Sequence, residues 1–87
     1  MFQRAYVSGA TSGIGEALAN LLAEKGIPLL LTGRDAGRLQ KIKDRLSSKV
    51  EVVTFLADLS TKEGRGEVVS QIRHFTPDLV VNNAGFG

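Results

Sequence analysis

The residues of this chain best suited to chemistry fall in four places: Ser8-Gly9-Ala10-Thr11-Ser12-Gly13-Ile14-Gly15, Arg34, Asp58-Leu59 and Asn82-Asn83-Ala84-Gly85. The first is the most specific. It follows a short apolar run, Ala5-Tyr6-Val7, of strand length, and leads into Ile14, Ala17, Leu18, Leu21 and Leu22 at i, i+3, i+4, i+7 and i+8 of a helix. A glycine-rich turn joining strand to helix offers backbone N–H groups and the positive end of the helix dipole, and a phosphate is the expected guest. Each glycine has a reason: Gly9 to turn the chain off the strand, Gly13 to let main chain approach a bulky anion, Gly15 to let helix and sheet pack closely. A turn of this composition can also be no more than a tight connection. A P-loop needs Gly-Lys-Ser/Thr, yet Ile14-Gly15 follow Gly13 and no lysine occurs before Lys25, which argues against nucleotide hydrolysis. The G-x-G-x-x-G fingerprint does not fit either, since Thr11 and Leu18 stand where its two registers require glycine. What remains is G-x-x-x-G-I-G.

The elements that must position these residues alternate along the chain. Gly26 reads as a helix C′ residue, and Pro28 opens a second strand, Leu29-Leu30-Leu31-Thr32, apolar on successive residues as a strand covered on both faces should be. After the turn Gly33-Arg34-Asp35, Asp35 caps a second helix with Leu39, Ile42 and Leu46 on one face. A third strand runs from about Val50 to Leu56. Ser60 and Glu63 read as a capping box for a third helix that turns Val68, Val69, Ile72 and Phe75 inward, with Gly64 and Gly66 weakening its first turns. Pro77 stops that helix, and Leu79-Val80-Val81 forms a fourth strand. The expected fold class is therefore α/β: a doubly wound parallel sheet of four strands in the order 3-2-1-4 with three helices, and a crevice at the switch point between strands one and four. The whole chain, 1–87, reads as one such unit without repeat or linker.

Composition narrows the classes further. The 87 residues are 43% hydrophobic and 23% charged, with a formal charge of +2 spread along the chain, so no basic patch points to nucleic acid. There are no cysteines, which excludes disulfides and thiolate chemistry. No stretch has the length of a membrane span, and a cytoplasmic location is the expectation. His74 has no second ligand or nucleophile near it in sequence and reads as a surface residue near a helix C-terminus. Tyr6 reads as core or strand-edge packing.

In order along the chain, Gly9-x-x-x-Gly13-Ile14-Gly15, the arginine after strand two, Asp58-Leu59 after strand three and Asn82-Asn83-Ala84-Gly85 after strand four resemble the pattern of the short-chain dehydrogenase/reductase family. The similarity runs along the whole chain but covers only the first part of that family's Rossmann-type domain, so the fold is incomplete relative to the family. The resemblance implies that the loop Gly9, Thr11, Ser12, Gly13, Ile14, Gly15 wraps a cofactor pyrophosphate and that Asp58 and Leu59 bracket the adenine. It also implies that Asn83, Ala84 and Gly85 border the cofactor sugars and brace the sheet. Plainer readings stand beside these. Asp58 also suits a turn before a helix, Asn82 and Asn83 a tie between strand ends, and the hydroxyls of Ser8, Thr11 and Ser12 either a phosphate or the loop's own backbone.

Charge bears on which cofactor is held. An NAD site places a carboxylate at the end of strand two to bind the ribose 2′-OH. Gly33 occupies that position, and Arg34 follows, suited to grip a 2′-phosphate. At roughly 1.5–3 kcal/mol for a hydrogen bond to a charged group, Arg34 favours NADP over NAD by about ten- to a hundredfold. Ser12 stands where many NADP-preferring members carry a second basic residue, which tempers that preference.

The family's proton transfer uses a serine and Tyr-x-x-x-Lys; the only tyrosine here is Tyr6, with Ala10 four residues on. No catalytic residue is assigned. The expectation is an NADP(H)-binding part of an oxidoreductase that moves hydride between NADP(H) and a carbonyl or alcohol, inactive alone and self-associating through the edge of its fourth strand. The alternative is a non-catalytic nucleotide-binding module.

Overall fold

The computed structural model describes residues 2–83. Its elements run β1 (Ala5–Val7), α1 (Gly13–Glu24), β2 (Leu29–Gly33), α2 (Ala36–Leu46), β3 (Val52–Leu56), α3 (Lys62–Phe75) and β4 (Leu79–Val81). All strand pairs are parallel and the sheet order is β3-β2-β1-β4, as the alternation of elements predicts. In register, Tyr6 lies between Leu30 and Val80, and Leu30 pairs onward with Val53.

Because side chains alternate across a strand, the sheet carries two cores. Ala5, Val7, Leu29 and Leu31 face Ala19, Leu22 and Ala23 of α1 and Leu39, Ile42 and Leu46 of α2. Tyr6 and Leu30 face Val68 and Phe75 of α3 together with Ala57. The connection from β3 to β4 runs across the sheet in the opposite sense to the first two, and a crossover of fixed hand then puts α3 on the other face. Leu29, Leu30 and Leu31 are each 0% exposed, which accounts for the unbroken apolar run; each contributes about 1.5–3 kcal/mol of burial. At the end opposite the strand C-termini, the Asp78 carboxylate accepts the N–H groups of Gln3 and Arg4, tying the start of β1 to β4 and lowering the Asp78 pKa.

Four local expectations are corrected. The buried face of α1 is Gly15, Ala19, Leu22 and Ala23, while Ile14 is 69% and Leu21 49% exposed. The small residues at i, i+4 and i+8 let the helix lie close to the loop and sheet, and the larger ones fall on its flank. The cap of α3 is Thr61, whose Oγ1 accepts from Gly64 N–H at 2.9 Å, because Ser60 is drawn away to the Asp58 carboxylate; Val69 of that helix is exposed rather than inward. The third strand begins at Val52, since Val50 N–H still donates to Leu46 O behind α2. Asp35 caps α2 as expected, its carboxylate accepting from Arg38 N–H at 3.1 Å, and Gly26 follows α1 with φ +78°.

Candidate functional site

The C-terminal ends of β1 and β4 are adjacent, and the loop after β1 fills the space above them. Gly9 takes φ +63°, a conformation other residues seldom adopt, and turns the chain so that Ala10 N–H reaches Thr32 O at 2.9 Å. Ser12 caps α1. Its hydroxyl donates to Gly9 O at 2.8 Å and accepts from Gly15 N–H at 3.1 Å and from Asn83 Nδ2 at 2.7 Å. Asn83 Nδ2 also donates to Gly9 O at 3.2 Å, and Asn83 N–H to Ser8 Oγ at 2.8 Å. Ser8 N–H donates to Val81 O at 3.0 Å, and its hydroxyl lies 3.2 Å from Asn82 Oδ1. The hydroxyls of Ser8 and Ser12 thus serve the loop and the β1–β4 joint, and Asn83 ties the strand ends.

What that scaffold leaves open is a place for an anion. The N–H groups of Gly13 and Ile14, the first of α1, have no hydrogen-bond partner among the described residues. A Cβ on Gly13 would have nothing within 4 Å, so the space over the helix start is clear. The Glu16 carboxylate, the one acidic group in the first turn, pairs with Arg45 at 3.0 Å towards α2, which reduces its opposition to an incoming negative charge. Gly15, by contrast, is pressed against the loop: a Cβ there would run into Gly9 O and come 2.9 Å from Asn83 Nδ2. The residues Gly9, Thr11, Ser12, Gly13, Ile14, Gly15 and Asn83 are therefore in one place. Ala84 and Gly85 lie outside the described residues.

A second feature lies above β2 and β3. Arg34, exposed and without a hydrogen bond or ion pair among the described residues, borders an open hollow of about 450 Å³ with Leu56, Ala57, Asp58, Thr61 and Glu67. Asp58 makes a tight turn, its Oδ1 accepting from Ser60 Oγ at 2.6 Å and Ser60 N–H at 2.9 Å. These bonds, the hydroxyl first and then the N–H, hold its carboxyl below the ordinary value, with the charge of Arg34 a lesser cause. Asp58 is thus both the turn residue and a wall of the hollow. Leu59 is half-buried against the α3-side core, its carbonyl accepting from Arg65. Thr61 and Glu67 were not singled out from sequence; Glu67 stands one helical turn beyond Glu63, which is the signal that places both at the same opening.

Tyr6 is 4% exposed and hydrogen-bonded to Thr32 Oγ1 at 2.9 Å, and burial raises its pKa, so it is a core residue rather than a proton donor at this surface. His74 is exposed in the last turn of α3. Among the described residues there is no group of three potential metal ligands, and no helix long and apolar enough to cross a membrane.

A parallel sheet in this order, with a glycine turn at the switch point, is a Rossmann-like architecture for binding a dinucleotide. The profile of the short chain dehydrogenase family matches residues 3–87, and the chain belongs to that family. An "Uncharacterized oxidoreductase" of Staphylococcus epidermidis is 41% identical over 83 residues, which are 93% of this chain and 35% of the relative. The bulky-bulky ketone specific alcohol dehydrogenase from Comamonas testosteroni superposes with a TM-score of 0.90 at 34% identity, covering 98% of this chain and 35% of that one. L-sorbose reductase from Gluconobacter frateurii, solved with NADPH and L-sorbose, gives 0.88 at 36% identity, covering 98% and 34%. The chain therefore spans about a third of the length of these relatives.

Proposed function

We propose that this chain is the NADP(H)-binding part of an oxidoreductase that transfers hydride between NADP(H) and a carbonyl or alcohol substrate, and that by itself it does not catalyse that transfer. The observation that carries the proposal is the pair of N–H groups at Gly13 and Ile14 that have no partner among the described residues, on a loop tied at the switch point by Ser12 and Asn83. In this reading Gly9, Thr11, Ser12, Gly13, Ile14 and Gly15 form the pyrophosphate loop, Arg34 meets the 2′-phosphate, and Asp58 and Leu59 border the adenine. Asn83, Ala84 and Gly85 border the sugars. When bound, the cofactor supplies the hydride; the residues described here bind and orient it, and none is assigned a proton. The exposed guanidinium of Arg34, without a hydrogen bond or ion pair among the described residues, and the absence of a carboxylate at Gly33 support NADP over NAD, as do relatives solved with NADPH or NADP.

Calorimetric titration of the chain with NADPH and NADH tests this. Tighter binding of NADPH is expected, and Arg34→Ala should remove the difference, a loss of about ten- to a hundredfold for one hydrogen bond to a charged group. Equal affinities for the two cofactors, or a preference that survives Arg34→Ala, would overturn the assignment of Arg34.

The same reading includes association of copies through β4. Among the described residues β4 pairs only with β1, and Val80 is 55% exposed on it. Such an apolar edge is a template for another strand. Light scattering should show a mass above that of one chain, falling when Val80→Lys places a charge on the edge; a monomer at all concentrations would refute the association.

A further inference from the structure

Gly33, the last residue of β2, is buried, and its carbonyl accepts Ala57 N–H at 3.0 Å. The hydrogen bond from Ala10 to Thr32 O carries the glycine loop across the end of β2 and sets Thr11 over Gly33. A Cβ on Gly33 would lie 3.0 Å from Thr11 Cγ2 and 3.2 Å from Thr11 Oγ1, with Leu39 Cδ2 behind at 3.6 Å. The two contacts with Thr11 are inside the roughly 3.5–4.0 Å of comfortable carbon packing. We infer that Thr11 bears on cofactor choice through position 33: its side chain crowds the space that a side chain there would need, and so opposes a ribose-binding carboxylate at the end of β2.

This inference rests on the dinucleotide reading above and adds to it a constraint on the residue that position 33 can carry. A carboxylate at the end of β2 selects NAD by binding the 2′-OH and repelling a 2′-phosphate. Here Thr11 crowds that place. Thr11 is β-branched and therefore stiff about χ1, and its backbone is fixed by the hydrogen bonds of Ala10 on one side and Ser12 on the other. A side chain at position 33 therefore requires Thr11 to give by a few tenths of an ångström or to leave its preferred rotamer. With glycine at position 33 the preference for NADP comes from Arg34, and Thr11 acts only on what position 33 can carry, by occupying part of the room that an alternative residue would need. Converting the site requires changing both positions 11 and 33.

The test compares NADPH and NADH affinities, by calorimetry, for the wild-type chain, Gly33→Asp, Thr11→Ala/Gly33→Asp and Thr11→Val/Gly33→Asp. Gly33→Asp alone should gain no affinity for NADH. The Thr11→Ala double variant should bind NADH about tenfold more tightly than that single variant, the worth of one charged hydrogen bond. The Thr11→Val double variant, which keeps the bulk and loses only the hydroxyl, should behave like the single one. If Gly33→Asp alone gains as much NADH affinity as the double variant, the inference is wrong. If the wild-type chain binds neither dinucleotide, the proposed function itself fails instead. A thermal melt covers the case in which Gly33→Asp does not fold: Gly33→Ala should melt lower than wild type, and Thr11→Ala should restore most of that loss. No restoration overturns the inference equally.

Discussion

Gly15→Ala is expected to abolish NADPH binding and to lower the melting temperature of the chain by more than about 10 °C. In an ordinary helix this change stabilises by up to about 1 kcal/mol, because alanine loses less backbone freedom than glycine. Here the sign reverses. The added methyl would run into Gly9 O and lie 2.9 Å from Asn83 Nδ2. Gly9 O is itself the acceptor for Ser12 N–H, Ser12 Oγ and Asn83 Nδ2, so it cannot retreat without breaking the joint between the loop, α1 and β4. Overpacking of this kind costs about 1–3 kcal/mol or more, and for a domain of this size each kcal/mol moves the midpoint by roughly 4–8 °C. Gly13→Ala provides the contrast two residues away. Nothing lies within 4 Å of its Cβ position, so the melting temperature should hold while the methyl intrudes on the anion's place and weakens NADPH binding. If Gly15→Ala binds NADPH as wild type does, the close approach of α1 to the loop is not what shapes the site.

The strands, their order and the position of the glycine turn were legible because they depend on local rules. Leu29 to Leu31 are apolar in succession, Asp35 and Gly26 mark helix ends, and a chain alternating strand and helix has few right-handed solutions. What was not legible depends on where a distant segment passes. The periodic stripe of α1 suggested that Ile14 and Leu21 face inward, yet the helix is rotated by the need to seat Gly15 against Gly9 and Asn83. Ser60 and Glu63 satisfy the capping-box pattern, but the Asp58 carboxylate claims the Ser60 hydroxyl at 2.6 Å and shifts the cap to Thr61. The contact of Thr11 with Gly33 joins residues of different elements and has no signature in either. Within the site, the glycine-rich turn and Arg34 stand out in the sequence, while the commitment of Ser12 to the cap rather than to open space depends on where Gly9 O and Gly15 N–H lie around it.

Gly64→Ala carries the same reasoning to the other side of the sheet. By propensity alone Gly64 weakens α3, and replacing it should help. Yet Gly64 is buried in the first turn, where an added Cβ would run into Asp58 O and lie 2.9 Å from Thr61 Oγ1. Asp58 O already accepts from Thr61 N–H at 3.2 Å and Thr61 Oγ1 at 3.0 Å, so the methyl breaks the turn that leads β3 into α3 and removes the cap with it. The expected cost is about 3 kcal/mol, against a total that for a chain this short is only about 4–13 kcal/mol at 0.05–0.15 per residue. Because Asp58 and Thr61 both line the hollow beside Arg34, dinucleotide binding should weaken along with stability. Gly66→Ala, in the same helix with nothing within 4 Å and an exposed position, should instead gain about 1 kcal/mol. Thermal melts of the two variants decide the matter: opposite signs are the signature of a helix pressed onto the Asp58 turn. A Gly64→Ala chain as stable as Gly66→Ala would mean that the turn yields, and that the wall of the hollow is not fixed by the start of α3.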